Sequence, residues 1–148
     1  PTPLGEFRII NKVKDPVWYP PNQGRKPVAP GPKNPLGRYW LGLSAKGYGI
    51  HGNNNPSSIG KAVSNGCIRM KNEHIQQLFR ILPVGTRVTI RYQTIQLSKV
   101  AGVYRLKIWP DIYGRSPDED GIIREALQEL PLDYPVFRLG ILSRLNCP

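Results

Sequence analysis

Proline constrains the fold of this chain more than any other residue, because many of the prolines are concentrated in one segment. Residues 15–37 contain seven of the sixteen prolines, at positions 16, 20, 21, 27, 30, 32 and 35. Each proline removes a backbone amide donor and fixes φ, so the segment is excluded from a helix or a central strand. The pattern predicts a long surface loop. Its aromatic residues Trp18 and Tyr19 either line a groove for an extended peptide or sugar or pack the loop onto the core.

A second loop, rich in Gly, Asn and Ser, joins one of the two histidines, His51, to one of the two cysteines, Cys67. Such residues favour loops, because glycine adopts positive φ and the Asn and Ser side chains bond back to the backbone. A neighbouring imidazole can take the proton of a thiol and hold the resulting ion pair. Gly66, directly before Cys67, allows a sharp turn that leaves nearby amides free for a substrate carbonyl. The pair is therefore a candidate catalytic dyad.

Two other interpretations of these residues remain open at this point. A lone cysteine is commonly a small buried hydrophobe, and a lone histidine is commonly structural. A zinc site built from His51, Cys67 and His74 is also conceivable, but the sequence contains no Cys-x-x-Cys pair and no obvious fourth ligand. Spacing alone does not decide among these interpretations.

The residues around the pair resemble the signature of the L,D-transpeptidase (YkuD-type) catalytic domain. That signature is a His-Gly pair followed by a Ser-x-Gly-Cys block and Ile-Arg, and Ile50–Gly52 and Ser64–Met70 match it. Thr2–Phe7 resembles the family's Thr-Pro-x-Gly-x-Phe element, and Leu82–Val88 resembles its closing turn and strand. The resemblance covers residues 1–92 in the expected order. In the family several strands precede the Thr-Pro-x-Gly-x-Phe element, so we expect this chain to be part of a longer domain.

The resemblance implies a catalytic role for several residues of the motif. Cys67 is the expected nucleophile and His51 its general base and later acid. The carbonyl of Gly52 is a candidate for holding the imidazole in its working tautomer. Ser64 is expected to support the loop or the histidine, and the amides of Gly66 and Cys67 are expected to contribute to an oxyanion hole.

Two further residues of the motif are expected to face the substrate. Arg69 either braces the site or meets a substrate carboxylate, and Asn65 stands where many members of the family carry a second histidine. Because residue 65 is asparagine, the site lacks a second imidazole, but both members of the dyad, His51 and Cys67, are present. The resemblance implies neither a metal nor a cofactor, since a thiolate and an imidazole suffice for the chemistry.

Hydrophobic periodicity predicts the elements that carry these residues. Alternating apolar side chains predict strands over residues 6–13 and 86–92, and residues 38–43 and 47–50 are also predicted as strands, the second a short one that ends just before His51. A helix is predicted after Asn72, which can act as its N-cap, with Pro83 as its end and a core face of Ile75, Leu78, Phe79 and Leu82. The fold class is therefore mainly β with one or two short helices, and the resemblance implies an L,D-transpeptidase-like β-sandwich.

Residues 93–148 are predicted to form a C-terminal extension, with a strand and a helix, to a catalytic domain of residues 1–92. Residues 103–109 alternate as a strand whose inward side chains are Tyr104, Leu106 and Ile108. Residues 117–131 predict an amphipathic helix, and its three leading acidic residues fit N-terminal capping better than cation binding. Cys147 is expected to be a free or intermolecular thiol.

The net charge of +11 indicates an attraction to anionic partners. Nucleic acid is not expected, because the basic residues are scattered and no helix-turn-helix, zinc finger or aromatic ribonucleoprotein motif is present. Anionic wall polymers or a membrane surface would attract the same charge, and a solvated basic surface explains it equally well. No run of eighteen apolar residues predicts a transmembrane segment, and no signal peptide is recognisable. The resemblance implies an extracytoplasmic location, in the cell wall or periplasm.

The leading hypothesis is peptidoglycan acyl transfer from a tetrapeptide stem. The acceptor would be an amine, giving a 3-3 cross-link, or water, giving L,D-carboxypeptidase activity. The alternatives are another Cys-His peptidase and a non-catalytic cell-wall-binding module. A papain-like peptidase places its cysteine well before its histidine in sequence, which is the reverse of the order found here.

Overall fold

The structure is a computed structural model that describes residues 1–21, 24, 26–115, 121, 128 and 140–142. The chain divides into two units, Pro1–Arg91 and Tyr92–Pro148. The first unit contains both residues of the candidate dyad. Within the described residues no helix is long and apolar enough to cross a membrane.

The first unit is built on a five-stranded sheet. Its strands are β1 (Gly5–Lys14), β2 (Tyr39–Leu43), β3 (Gly49–His51), β4 (Ile68–Arg69) and β5 (Arg87–Ile90). The order across the sheet is β4-β3-β2-β1-β5. The neighbouring strands are antiparallel except for β3 and β4, which run parallel. The four predicted strands are thus confirmed, with His51 as the last residue of β3.

Apolar residues from these strands form the core under α1 (Asn72–Ile81), the one α-helix among the described residues of this unit. The buried set consists of Ile9, Leu41, Leu43, Ile50 and Ile75. The other predicted helix residues, Leu78, Phe79 and Leu82, are half-buried against it. The predicted helix and its core face are therefore confirmed.

The predicted N-cap of α1 is wrong. Lys71 is the N-cap residue, and no side chain caps the helix there. The Asn72 side chain bonds instead to the loop after β3: its Oδ1 accepts from the Asn53 amide at 3.0 Å, and its Nδ2 donates to the Asn53 carbonyl at 3.0 Å. The Asn72 side chain, which the sequence pattern assigned to the N-cap, therefore makes a tertiary contact with Asn53 instead.

The proline-rich segment is a loop, as predicted, and Asn34 organises it. The Asn34 side chain is fully buried, and its Nδ2 donates to the carbonyl of Pro16 at 2.8 Å and also lies 3.2 Å from that of Val28. Its Oδ1 accepts from the Leu36 amide at 2.9 Å. One isolated antiparallel bridge, between Trp18 and Val28, completes the loop. The side-chain amide of Asn34 thus supplies hydrogen bonds to backbone groups of a loop whose prolines cannot donate the backbone hydrogen bonds of a β-sheet.

The second unit contains a three-stranded sheet in the order β6-β7-β8. Its strands are β6 (Ile95–Val100), β7 (Val103–Ile108) and β8 (Gly140–Leu142). The predicted strand of residues 103–109 is confirmed with Leu106 buried, whereas β6 was not predicted. Most of the predicted helix of residues 117–131 lies outside the described residues, as does Cys147. The described part of the chain is mainly β, as predicted.

The two isoleucines of α1 test the assignment of the core. Ile75 is fully buried and Ile81 is 70% exposed. We expect Ile75→Ala to lower the free energy of unfolding by about 2 to 5 kcal/mol, because it removes buried methyl groups and leaves a cavity. Ile81→Ala is the matched control and should change it by less than about 0.5 kcal/mol. Urea unfolding measures both, and equal losses would contradict the packing of α1 against the sheet.

Candidate active site

The parallel pairing of β3 and β4 brings His51 and Cys67 to one place. Ile50 pairs with Ile68 and His51 pairs with Arg69. Cys67 directly precedes β4 and lies two residues before Arg69, so it continues the row of side chains on the face that carries His51. Both side chains line the same cavity, whose volume is about 830 Å³. The structure therefore brings the predicted dyad together.

His51 is almost completely buried, at 4% exposure, and it is held by the backbone. Its Nδ1 lies 2.6 Å from the carbonyl oxygen of Gly52. Because a carbonyl oxygen can only accept, Nδ1 must carry the proton, and Nε2 is left with a lone pair. This hydrogen bond joins His51 to the Gly52 carbonyl, the group that the resemblance gave as a candidate for holding the imidazole tautomer.

The environment of His51 keeps the imidazole neutral. Burial is the main cause, and the charge of Arg69 adds to it, while hydrogen bonds to the carbonyls of Gly52 and Leu36 oppose the shift. The net effect lowers the pKa of His51 from 6.5 to about 4. At neutral pH this side chain is therefore unprotonated, with the Nε2 lone pair available.

The environment of Cys67 keeps the thiol protonated. The side chain is half-buried, and its Sγ–H donates to the Gly47 carbonyl at 3.6 Å. Burial raises the pKa of Cys67, although a backbone hydrogen bond from Gly49 and the charge of Arg69 act in the opposite direction. The resting site is therefore a neutral thiol beside a neutral imidazole, and not a preformed ion pair.

Ser64 and Gly66 shape the turn that presents Cys67. The Ser64 hydroxyl donates to the Cys67 carbonyl at 2.9 Å and accepts from the Gly66 amide at 3.2 Å. Gly66 has a φ of +113°, and a Cβ there would lie 2.6 Å from Cε1 of Tyr48. Glycine is therefore required at this position by backbone conformation and by space.

One of these contacts concerns an expected oxyanion donor. The Gly66 amide, which the resemblance assigns to an oxyanion hole, donates to the Ser64 hydroxyl in this structure. The Ser64 hydroxyl bonds within the loop that it was expected to support.

The wall of the cavity comes from several parts of the chain. The proline-rich loop contributes Trp18 and the 71% exposed Tyr19, so both aromatics lie on the cavity wall. The β2–β3 turn contributes Lys46, and Arg69 and the exposed Asn65 complete the region around Cys67. Arg69 also braces the loop, with its Nη2 3.4 Å from the Val63 carbonyl. Among the described residues that line it, the cavity has two cationic side chains and no acidic one.

Residues 1–90 match the family model of the YkuD domain, described as the L,D-transpeptidase catalytic domain. The chain belongs to the L,D-transpeptidase family. YkuD of Bacillus subtilis (strain 168) is 52% identical over 89 residues, which are 60% of this chain and 44% of that protein. YqjB of the same organism is 44% identical over 106 residues, covering 68% and 57%. Both names assign these relatives to the L,D-transpeptidases.

The fold of this L,D-transpeptidase chain also matches a solved structure. The Ldtfm–avibactam carbamoyl enzyme superposes with a TM-score of 0.50 at 26% identity, covering 63% of this chain and 36% of that one. The chain spans about half the length of the curated relatives it matches.

The zinc interpretation gains no support from the cavity of His51 and Cys67. His74 is exposed on α1 and does not line the cavity of His51 and Cys67. Over the residues that the structure describes, no three His, Cys, Asp or Glu side chains come together as a metal site.

Sequence reasoning missed the residues that surround the dyad from β2 and the β2–β3 turn. Trp40 stacks on His51, and the Gly47 carbonyl accepts from Cys67. The available signal was the hairpin itself: pairing β2 with β3 places Trp40 opposite His51.

The lowered pKa of His51 predicts how stability depends on pH. Its folded pKa of about 4 lies below the ordinary 6.5. The unfolded chain therefore binds this proton first as the pH falls, so stability is complete above pH 6.5 and is lost between pH 6.5 and about 4. Between pH 7 and pH 4.5 this histidine should cost roughly 2 to 3 kcal/mol of unfolding free energy.

His51→Gln should remove that part of the pH dependence. His74→Gln is the matched control, because the other histidine is exposed and lies outside the site. Urea unfolding at the two pH values gives the comparison. If His51→Gln and the wild type lose the same unfolding free energy on acidification, the claim that His51 is a buried, neutral imidazole is contradicted.

Proposed function

We propose that this chain is a cysteine-dependent L,D-transpeptidase that acts on the stem peptides of peptidoglycan. The observation that supports this most is the shared cavity of His51 and Cys67 in a member of the family. An imidazole with a free Nε2 lone pair beside a protonated thiol suits general-base activation of a nucleophile.

In the first step His51 Nε2 takes the Sγ proton while the sulfur attacks the carbonyl of the third residue of a tetrapeptide stem. The tetrahedral oxyanion collapses as His51 returns the proton to the amine of the leaving D-Ala, and a thioester remains on Cys67. In the second step a side-chain amine of another stem, or water, loses a proton to His51 and attacks the thioester. The products are a cross-link between third residues or a shortened stem, with Cys67 again a thiol.

The remaining residues take supporting roles in this proposal. The Gly52 carbonyl holds the imidazole tautomer with Nε2 free, and Ser64 fixes the turn before the nucleophile. With the Gly66 amide bonded to Ser64, the Cys67 amide is the candidate donor to the oxyanion. The chemistry requires no metal or cofactor.

The cavity suits a peptide that carries carboxylates. Lys46 and Arg69 lie on its wall, together with the aromatic side chains of the proline-rich loop. A stem peptide has free carboxylates and an extended backbone, which complement two cations and an aromatic wall. Arg69 and Asn65 are the proposed substrate contacts next to Cys67.

The proposed setting is the compartment that holds this substrate. Peptidoglycan lies outside the cytoplasm, so we place the protein in the cell wall or periplasm. The net charge of +11 supports attraction to anionic wall polymers. We assign residues 1–92 to the catalytic domain and residues 93–148 to a C-terminal extension, which agrees with the division of the chain after Arg91.

Covalent labelling tests the nucleophile. We expect the wild-type protein to gain one equivalent of a carbapenem by intact-mass spectrometry, because the β-lactam carbonyl acylates the reactive thiol. Cys67→Ala should gain none while its circular dichroism spectrum stays native. Cys147→Ala is the matched control, because it removes the other of the two cysteines, and it should be labelled fully.

Turnover of the natural class of substrate tests the reaction itself. Wild-type protein should release D-Ala from a tetrapeptide stem and join or shorten the remaining tripeptide, as read by mass spectrometry. Turnover retained in Cys67→Ala would reject the mechanism. A folded wild-type protein with neither adduct nor turnover would instead indicate a wall-binding module.

A further inference from the structure

Trp40 contacts the proposed base from the neighbouring strand. It lies on β2 directly opposite His51 of β3 in the antiparallel register. The indole and imidazole rings stack with centroids 5.9 Å apart and planes inclined by 23°. Trp40 is half-buried and also lines the cavity of Cys67. An aromatic ring therefore stacks, offset, beside the imidazole.

Gly49 provides the space that the indole occupies. A Cβ at position 49 would lie 2.7 Å from Cε2 of Trp40, closer than real Cβ atoms approach another heavy atom. Gly49 is not among the glycines with positive φ, so its backbone conformation does not itself require glycine. The neighbouring indole therefore explains why a side chain is excluded there.

The imidazole is thus held in two directions. The Gly52 carbonyl accepts from the Nδ1 edge at 2.6 Å, and the indole stacks beside the ring. The hydrogen bond restrains one edge of the imidazole, and the neighbouring indole restricts rotation of the ring about its Cβ–Cγ bond.

We propose that Trp40 is a positioning residue for the acyl transfer: its indole, placed by Gly49, fixes the plane of the His51 imidazole so that Nε2 stays directed at Cys67. The inference rests on the proposed function, because it assumes that His51 is the base. Trp40 exchanges no proton and acts only through His51. Orientation of this kind matters because small displacements of a catalytic group can cost large factors in rate.

The groups that face His51 determine how its protonation responds to loss of the indole. Arg69 on β4 and the Cys67 thiol before it are titratable groups on the imidazole's face of the sheet, and Lys46, Tyr48 and Tyr19 line the same cavity from the β2–β3 turn and the proline-rich loop. Leu36 and Gly52 contribute carbonyls. Trp40 on β2 carries no charge. Without the indole, water reaches the imidazole, and the burial that lowers the pKa of His51 is partly relieved.

Carbapenem acylation rates of four variants test the proposal from pH 5 to pH 7.5. Trp40→Leu should react at least tenfold more slowly than wild type at pH 7, and its rate should fall further below pH 6.5, where the wild-type rate stays level. Trp40→Phe keeps an aromatic ring and should stay within threefold of wild type. Thermal unfolding of each variant reports separately on the fold.

Gly49→Ala supplies the decisive comparison, because it displaces the indole without removing it. It should lose at least tenfold in rate, and Gly49→Ala/Trp40→Leu should be no slower than Trp40→Leu alone, since both changes act through one ring. Multiplied losses in the double variant would overturn the proposal. A Trp40→Leu rate within threefold of wild type and level with pH would also overturn it.

An NMR titration of the His51 ring nitrogens tests the same contact without any substrate. In wild type we expect a single Nδ1–H tautomer that stays neutral at pH 5, with His74 as the internal reference. In Trp40→Leu we expect mixed tautomers and protonation nearer pH 6.5; a titration identical to wild type would overturn the proposal. His51→Ala separates failure of the proposed function from failure of this inference. If His51 is not the base, His51→Ala should be acylated as fast as wild type, whether position 40 is Trp or Leu.

Discussion

The short parallel pairing of β3 with β4 is the contact on which the whole site depends. Only two residues of each strand pair, and the Met70 amide extends the ladder by donating to the His51 carbonyl at 2.8 Å. So short a ladder needs support from the loop that it closes. Asn53 gives that support by donating from Nδ2 to the Met70 carbonyl at 2.7 Å. The Asn72 side chain in turn accepts from the backbone amide of Asn53 and donates to the backbone carbonyl of Asn53. These bonds join the two ends of the loop, so the imidazole and the thiol are brought together by backbone and amide contacts rather than by a bond between them.

Burial shifts the pKa values of His51 and Cys67 in opposite directions, and both shifts favour the neutral side chain. It lowers the pKa of His51 and raises that of Cys67, because a low-dielectric site disfavours the charged form of each. Arg69 lies beside both and acts differently on them: its charge opposes an imidazolium and favours a thiolate. The imidazole and the thiol are consequently both neutral at neutral pH. A protonated thiol is also less open to oxidation, since the thiolate is the reactive form.

Much of the fold was predictable from particular patterns in the chain. Alternation identified β1 and β5, β2 and β3 were also predicted as strands, and the helical spacing of Ile75 and Leu78 identified the core face of α1. The prolines predicted a loop, but not that Asn34 would organise it, because a buried asparagine is recognised only by the carbonyls around it. Asn72 shows the same limit: its position fits a cap, yet its side chain bonds to residue 53. Local preference cannot reveal a partner that is distant in sequence.

The sequence by itself determined which groups were available for chemistry: a histidine and a cysteine joined by a loop, with the family motif around them. Tertiary structure decided how those groups behave. Strand pairing placed Trp40 on the ring of His51, the turn at Gly66 committed its amide to Ser64, and burial set both members of the dyad to their neutral forms. The physical reason is that protonation state and orientation depend on neighbours brought in from other strands and on the exclusion of water. Neither is a property of a residue or of its near neighbours in the chain.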